Sequence, residues 1–147
     1  MNKVVFLDTG PLGLLSHPRP NQEAAAWMLG LTDRGVQVVV PEIADYEVRR
    51  ELLRAKKARG IQRLDQMKND AFYVPITTAA MLKAAELWAL ARMQGRPTSD
   101  RHALDGDVIL AAQALTFEAN GKDVIVATDN VAHLHRFVPA QAWRSIT

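Results

Sequence analysis

Cysteine is absent from the sequence. Its absence excludes disulfide bridges, thiolate zinc sites, iron–sulfur clusters and a cysteine nucleophile, and it is compatible with a reducing cytoplasm. Long apolar runs are absent too: no segment approaches the roughly 20 residues needed to cross a bilayer, and the apolar part of the N-terminus is too short for a signal peptide. We therefore expect a cytoplasmic protein without a membrane partner.

What the sequence does contain is enough apolar material for one core. Its 147 residues are 48% hydrophobic, which is typical of a globular chain of single-domain size. Apolar runs of strand length alternate along the chain with segments of helical periodicity, and no repeat or linker divides them. This alternation predicts an α/β fold with a mainly parallel central sheet flanked by helices, in a single domain over residues 1–147.

The first predicted strand ends on an acid. Residues 4–7 form a continuous apolar run, typical of a strand buried on both faces, and Gly10 and Pro11 end it. Asp8 therefore lies at the C-terminal end of this strand, which is the edge where open parallel sheets bind ligands. An acid at that edge is a candidate ligand for a divalent metal ion.

Three further acids are expected to approach the same edge. Asp129 follows a later apolar strand and repeats the pattern of the first. Glu47 lies about a turn and a half inside the helix predicted after the second strand. Asp107 lies in the first turn of a nearly all-apolar helix, which is predicted to begin at Asp105 after a polar loop over residues 95–104. It reaches the edge only if that helix starts on the same side of the sheet.

Such a cluster has the chemistry of a magnesium site. Clustered acids raise one another's pKa unless a cation neutralises them. Hard oxygen ligands without His or Cys partners select Mg²⁺ or Mn²⁺. These ions activate water and stabilise the oxygens of a phosphodiester displacement, a reaction that needs no covalent nucleophile.

Each acid also has a purely structural interpretation. Asp8 can cap the next turn, Asp105 can be a helix N-cap, Asp107 can interact with the helix macrodipole, and Asp129 begins an ordinary turn sequence. Glu47 borders the inward stripe of its helix instead of pointing along it. Taken singly, each acid is compatible with either interpretation; their coincidence at one sheet edge favours the metal site.

Four segments spread over essentially the whole chain carry a more specific signal. They contain the sequences Leu7-Asp8-Thr9-Gly10-Pro11-Leu12, Tyr46-Glu47-Val48-Arg49-Arg50-Glu51-Leu52, Asp107-Val108-Ile109-Leu110-Ala111-Ala112-Gln113-Ala114, and Val126-Ala127-Thr128-Asp129-Asn130 with His133-Leu134. In this order they resemble the PIN domain, and in particular the VapC-type toxins of bacterial toxin–antitoxin pairs.

The resemblance implies a Mg²⁺-dependent endoribonuclease acting on single-stranded or structured RNA, with Mn²⁺ as a possible substitute. Asp8, Glu47 and Asp107 would form its acidic, catalytic core, with Asp8 and Asp107 as metal ligands. Thr9 and Thr128 would occupy the hydroxyl positions beside that core.

The fourth acid of the family pattern has two interpretations in this chain. Family members often place it two residues after the threonine, where Asn130 stands, whereas Asp129 lies one residue earlier. Either Asp129 is a catalytic and metal-ligating residue, directly or through water, or three acids work with Asn130. Asp105 is an additional acid that would assist the metal or cap its helix.

The resemblance implies protein partners as well as RNA. VapC-like proteins usually form homodimers, and each is inhibited by a small antitoxin whose tail enters the acidic cleft, often with a basic side chain in place of the metal.

Basic residues are concentrated in one segment of the chain, although its net charge is only +2. The segment is interpreted either as a solvated helix face or as a surface that contacts RNA phosphates. Because Arg49, Arg50 and Arg54 lie on or near the helix that carries Glu47, we predict that these three bind RNA. The full set is Arg49, Arg50, Arg54, Lys56, Lys57, Arg59 and Arg63.

Other functions compete with a toxin ribonuclease. A PIN-like chain can be a non-catalytic RNA-binding or scaffold module, or a housekeeping RNA-processing nuclease without an antitoxin. Phosphatases of the haloacid dehalogenase type need a second acid at the position of Gly10, which argues against them. Nucleotide-binding fingerprints are missing, since no Gly-x-Gly-x-x-Gly follows the first strand and Gly121-Lys122-Asp123 is not a P-loop.

Overall fold

The computed structural model describes residues 2–19, 21–95 and 101–147, without the side chains of residues 101–103. In chain order its elements are β1 (Lys3–Leu7), α1 (Thr9–Leu15), α2 (Gln22–Asp33), β2 (Gln37–Pro41), α3 (Glu42–Arg54), α4 (Ala58–Asp70), β3 (Phe72–Val74), α5 (Thr78–Met93), α6 (Arg101–Thr116), β4 (Asp123–Thr128), α7 (Val131–Leu134), β5 (Ala140–Ala142) and a 3-10 turn over Trp143–Ser145.

The strands form one sheet in the order β3-β2-β1-β4-β5. Each pairing between these neighbours is parallel, and Phe6 of β1 is in register with Val39 of β2 and with Val126 of β4. The predicted α/β fold with a mainly parallel sheet is therefore confirmed. The chain adds β2 and β3 on one side of β1 and then β4 and β5 on the other, so the strand order switches direction between β1 and β4. Sheets of this kind bind ligands at the carboxyl ends of the strands beside such a switch.

Strand β1 is buried on both faces, as its apolar run predicts. Val4 and Phe6 belong to the apolar cluster that includes α5 and α6, whereas Val5 and Leu7 belong to the cluster that includes α1, α2 and α4. All four side chains are inaccessible to solvent. Burial of each contributes roughly 1.5–3 kcal/mol to folding, and it holds the end of β1 in a rigid position.

Helix α6 begins earlier than the sequence predicts. A polar loop was expected over residues 95–104, but the chain is already helical from Arg101; residues 96–100 lie outside the described residues. Leu104 is only 1% exposed and lies one turn before the buried Val108. It therefore extends the inward apolar stripe and stabilises an additional helical turn.

The earlier start corrects two predicted positions. Asp105 lies inside α6 and is not its N-cap, and Asp107 lies in the second turn instead of the first. The macrodipole interpretation of Asp107 is weakened, because that effect falls off within the first turn.

No helix in the described part of the chain has both the length and the apolar character needed to cross a membrane.

Candidate functional site

Asp8 follows β1 directly and is fixed between the two central strands. Its backbone N–H donates to the Ala127 carbonyl of β4 (3.0 Å), and its Oδ1 accepts the Thr9 N–H (2.7 Å), so it also caps α1. The fully buried Thr128 hydroxyl donates to Oδ2 (2.7 Å), while the Thr9 hydroxyl lies 3.4 Å from Oδ1. Thr9 and Thr128 thus lie beside Asp8, where the resemblance puts them.

The surroundings of Asp8 are unfavourable for its charge. Burial raises the pKa of this carboxyl above its usual 3.8, although hydrogen bonds from Thr128 and Thr9 lower it in part. The charge of Asp129 raises the pKa further. A neighbouring cation would stabilise the ionised form.

Glu47 reaches the same place from α3. Burial raises its pKa above 4.5, and the charges of Asp8 and Asp107 raise it further, against an opposing effect of Arg50. A Cβ atom on Gly106 of α6 would lie 2.7 Å from Glu47 Oε2, so the glycine allows the carboxylate to lie against α6. The wheel position of Glu47 was ambiguous in the sequence, and in the structure the side chain lies among the acids.

Asp107 completes a group of three acids. Burial and then the charge of Asp8 raise the pKa of the Asp107 carboxyl from 3.8 to about 6, while Arg136 opposes the increase. Helix α6 therefore does bring Asp107 to the carboxyl end of β1. Asp8, Glu47 and Asp107 come from three separate elements and destabilise one another's ionised forms.

Asp129 lies near Asp8 but already has a hydrogen-bond partner. The Trp143 indole N–H donates to Asp129 Oδ1 (3.1 Å). The other carboxylate oxygen lies against the backbone of Gly10, where a Cβ atom would overlap it. Asp129 is thus held between the start of α1 and Trp143, and its predicted catalytic and metal-binding roles stay predictions.

Asn130 is directed towards His133 by the short helix α7. Its backbone N–H donates to the Thr128 hydroxyl (2.8 Å), and its Nδ2 lies 3.0 Å from His133 Nδ1. His133 Nδ1 also lies 3.8 Å from Asp107 Oδ2. Two residues beside the acids, His133 and Arg136, had no role in the predictions from the sequence. The motif that ends in His133-Leu134 could have indicated His133, whereas no sequence signal indicated Arg136.

Asp105 is not brought to the three acids. Residues two positions apart on a helix lie on nearly opposite faces, so Asp105 and Asp107 point to different sides of α6. The exposed Asp105 lines a groove between α5 and α6 together with Trp88 and Val108.

Arg49 connects α3 to α4. Its guanidinium lies 2.8 Å from the buried Asp45 and 2.7 Å from Asp65, and Lys68 Nζ lies 2.8 Å from the same Asp45. The hydrogen bonds that Arg49 donates to Asp45 and Asp65, opposed in part by burial, raise its pKa. Such a network positions the helix that carries Glu47.

The other two arginines predicted to bind RNA also have acidic neighbours. Arg54 lies 2.8 Å from Glu51, and Arg50 lies 3.8 Å from Glu47. Arg50 and Arg54 are mostly exposed, so these pairs are weak and open to competition. RNA binding by Arg49, Arg50 and Arg54 stays a prediction.

The donor chemistry of the site fits a hard divalent cation. Carboxylate oxygens of Asp8, Glu47 and Asp107 repel one another, and no Cys is present to favour a softer metal. Across residues 2–19, 21–95 and 101–147, however, no three acidic or His side chains already surround a common point at ligand distance. A bound ion would need side-chain rotations of these partly buried carboxylates.

No protein-family model and no curated protein matches the chain. Solved structures do match it over nearly its whole length. VapBC2 from Rickettsia felis bound to a promoter DNA fragment has 15% identity and a TM-score of 0.70, covering 94% of this chain and 97% of that one. FitAcB from Neisseria gonorrhoeae has 22% identity and a TM-score of 0.68, with 97% and 99% covered. DNA-bound VapBC from Salmonella typhimurium has 17% identity and a TM-score of 0.65, also with 97% and 99% covered. At these identities the likeness shows the fold, and the predicted PIN-like fold is confirmed.

Proposed function

We propose that this chain is a Mg²⁺-dependent endoribonuclease that hydrolyses single-stranded or structured RNA, and that it is the toxin of a toxin–antitoxin pair. The observation that carries the proposal is the convergence of Asp8, Glu47 and Asp107 at the carboxyl edge of the sheet, where burial raises the pKa of each and the charge of Asp8 raises the pKa of the other two further. Groups with perturbed pKa values cluster at functional sites. The PIN-like fold supports the same reaction class as an analogy.

Asp8 and Asp107 would hold the cation, with Asp129 as a third ligand once it is released from Trp143. A bound divalent cation supplies charge stabilisation at the phosphate and lowers the pKa of a water molecule. Thr128 and Thr9 orient the Asp8 carboxylate through their hydrogen bonds.

We propose that Glu47 is the general base that accepts a proton from the attacking water. Its pKa is raised by burial and by both neighbouring acids, and a more basic carboxylate is a better proton acceptor near neutral pH. The water oxygen bonds to phosphorus, the phosphodiester P–O bond to the leaving oxygen breaks, and that oxygen takes up a proton. No covalent enzyme intermediate is required.

The toxin role rests on two lines of support. The motifs resemble VapC-type toxins, and the structures with this fold include VapBC from two bacteria and FitAcB from a third. We propose a small antitoxin partner that neutralises the acidic cleft, and a homodimer of the 16.3 kDa chain. RNA as the substrate makes the cytoplasm the proposed compartment. Sedimentation of the purified chain tests the homodimer; a purely monomeric species at micromolar concentration would contradict it.

The test of the reaction is cleavage of end-labelled single-stranded RNA by the purified protein, with Mg²⁺ or with a chelator. We expect cleavage with Mg²⁺ only, and its loss in Asp8→Asn. Asp123→Asn is the matched control, because the exposed Asp123 begins β4 at the opposite edge of the sheet; it should cleave normally.

Two other outcomes would replace the proposal. Metal-loaded wild-type protein that binds RNA but never cuts it would indicate a non-catalytic module. A chain that cuts RNA but does not arrest growth when expressed would indicate a housekeeping nuclease. Sequencing of RNA ends after expression, with Asp8→Asn as the reference, would identify the target.

A further inference from the structure

A cavity lined by basic residues lies at the far end of α1 from the acids. It has a volume of about 410 Å³, and its walls come from the end of α1, from the loop after it and from the α3–α4 junction. We call it the cationic pocket. Its basic lining consists of His17, Arg19, Lys57 and Arg59.

The charges of this pocket have no acidic neighbour among the residues that line it. None of the described lining residues is an acid. Within the part of the chain that the structure describes, Arg19, Lys57 and Arg59 make no ion pair, in contrast to Arg49 and Arg54. Like charges that converge without a counter-charge attract anions.

The loop that carries Arg19 is held by the His17 ring. The Arg19 backbone N–H lies 3.1 Å from His17 Nδ1. The same Nδ1 lies 2.9 Å from the Arg19 carbonyl oxygen, so the ring contacts both backbone groups of Arg19. These contacts hold Arg19 at the pocket, which brings three cations together.

Helix α1 connects the pocket to the three acids. Asp8 caps its first turn and Ser16 caps its last, and seven residues at 1.5 Å each separate the two ends by about 10 Å. Thr9, beside the acids, and Gly13, in the pocket, are four residues apart and so lie on one face of the helix. Helix α3 packs against α1 and leads from Glu47 to the Lys57 side of the pocket.

We propose that the cationic pocket binds a backbone phosphate of the RNA strand whose scissile phosphate lies at the acids. The separation corresponds to about three nucleotides at the stacked spacing of about 3.4 Å per phosphate, and to fewer in an extended strand. This inference rests on the proposed ribonuclease function. The principal contacts to the substrate backbone are then the unpaired Arg19, Lys57 and Arg59, and not the ion-paired arginines of α3.

The test measures binding separately from cleavage. Fluorescence anisotropy of a labelled single-stranded RNA is recorded with Asp8→Asn protein, which should bind without cutting. In that background we change three residues to Gln, namely Arg19, Lys57 and Arg59, and we call this protein the pocket variant. We expect the Kd to increase on the order of tenfold at about 0.1 M salt, and the slope of log K against log salt to become less steep by about 0.7, the contribution of one lost phosphate contact on a single strand.

A matched triple variant controls for total charge. Lys83, Arg92 and Lys122 lie outside both the acids and the pocket; changing all three to Gln removes the same charge and should leave the Kd and the slope nearly unchanged. With Asp8 restored, the pocket variant should raise the KM for a long RNA with little change in kcat. A similar loss of binding in both triple variants would overturn the proposal.

A single added charge provides a sharper comparison. A Cβ atom on Gly13 meets no other atom within 4 Å, so a side chain fits there without a clash. Gly13→Glu should weaken RNA binding several-fold more than Gly13→Gln, because only the former adds an acid to the pocket. Equal effects of the two substitutions would count against a phosphate in the pocket.

Two further arms separate the possible results. Inorganic phosphate at millimolar concentration should weaken RNA binding by the Asp8→Asn protein more than by the variant that lacks the three pocket cations, because it competes for the pocket; an equal effect on both proteins would count against the proposal. If the wild-type protein cuts RNA but the pocket variant binds normally, the inference fails and the ribonuclease function stands. If the wild-type protein never cuts RNA but the variant without the pocket cations loses binding, the ribonuclease function fails and only the contact between the pocket and RNA stands.

Discussion

Replacing Asp107 with Asn should stabilise the metal-free protein. Burial and the charge of Asp8 raise the pKa of Asp107 from 3.8 to about 6, which corresponds to an unfavourable free energy of about 3 kcal/mol for the ionised form. Its side chain is 22% exposed, so solvent screening reduces this to roughly 1–2 kcal/mol. Asn has nearly the same shape without the charge, and we expect a gain of that size at neutral pH.

The pH dependence of this gain follows from the direction of the shift. An acid whose pKa is raised in the folded state binds protons more tightly there than in the unfolded chain, so its destabilising effect is complete above about pH 6 and disappears as the pH falls towards 3.8. Urea unfolding with a chelator should therefore show a clear advantage of Asp107→Asn at about pH 7.5 and a much smaller one at about pH 5. The corresponding rise in Tm at neutral pH is about 2–8 °C.

A control on the same helix separates this effect from generic surface changes. Asp105 is exposed on the other side of α6, and Asp105→Asn should change the free energy of unfolding by less than about 0.5 kcal/mol. Added Mg²⁺ should stabilise the wild-type protein more than Asp107→Asn. If Asp107→Asn were no more stable than the wild type at neutral pH, the destabilising effect of burying the Asp107 charge beside Asp8 would be refuted.

Three other substitutions test how the site is held. Gly106→Ala should reduce kcat at least tenfold without destabilising the chain, because the new Cβ would displace the Glu47 carboxylate while Ala favours the helix by about 0.5–1 kcal/mol. Thr128→Val should cost roughly 1–3 kcal/mol and slow cleavage, because it removes the donor to Asp8 Oδ2 and leaves a backbone N–H unpaired. Asp129→Asn should cost about 1 kcal/mol through its hydrogen bond to the indole and should slow cleavage much less than Asp8→Asn.

Steady-state kinetics measure the effects of these substitutions on cleavage, and urea unfolding measures their effects on stability. Conservative variants serve as controls. Gly30→Ala, in α2, controls for the helix preference of Ala and should leave cleavage intact. Thr128→Ser keeps the hydroxyl and should restore most of the lost activity. An active Gly106→Ala enzyme would show that Glu47 does not need its position against α6. A complete loss of cleavage in Asp129→Asn would make that residue an essential ligand.

The sequence was informative where one local pattern determines the outcome. The apolar run before Asp8 predicted both the burial of β1 and the position of the acid, because a parallel strand in the centre of a sheet has no solvated face. The end of β4 repeated this pattern, and Thr128 lies beside Asp8 as the motif implied. The resemblance to the PIN domain predicted the fold that the solved structures share with this chain.

Features that depend on contacts between distant segments were not predictable in the same way. The position of the Glu47 carboxylate depends on Gly106, which lies in a helix about sixty residues later in the chain. The start of α6 depends on the burial of Leu104 in the core. The polar residues around Leu104 in the sequence gave no indication of this burial. The partners of Arg49 were likewise hidden, because a charge pattern along one helix does not show which acids a neighbouring helix presents.

We propose that the three converging acids cleave RNA with a divalent cation. The most direct measurement is the cleavage rate of a labelled single-stranded RNA by wild-type protein and by Asp8→Asn, each with Mg²⁺ and with a chelator. We expect cleavage by the wild-type protein with Mg²⁺ and none in the other three reactions. Equal cleavage by Asp8→Asn, or RNA that the wild-type protein binds with Mg²⁺ but leaves intact, would contradict it.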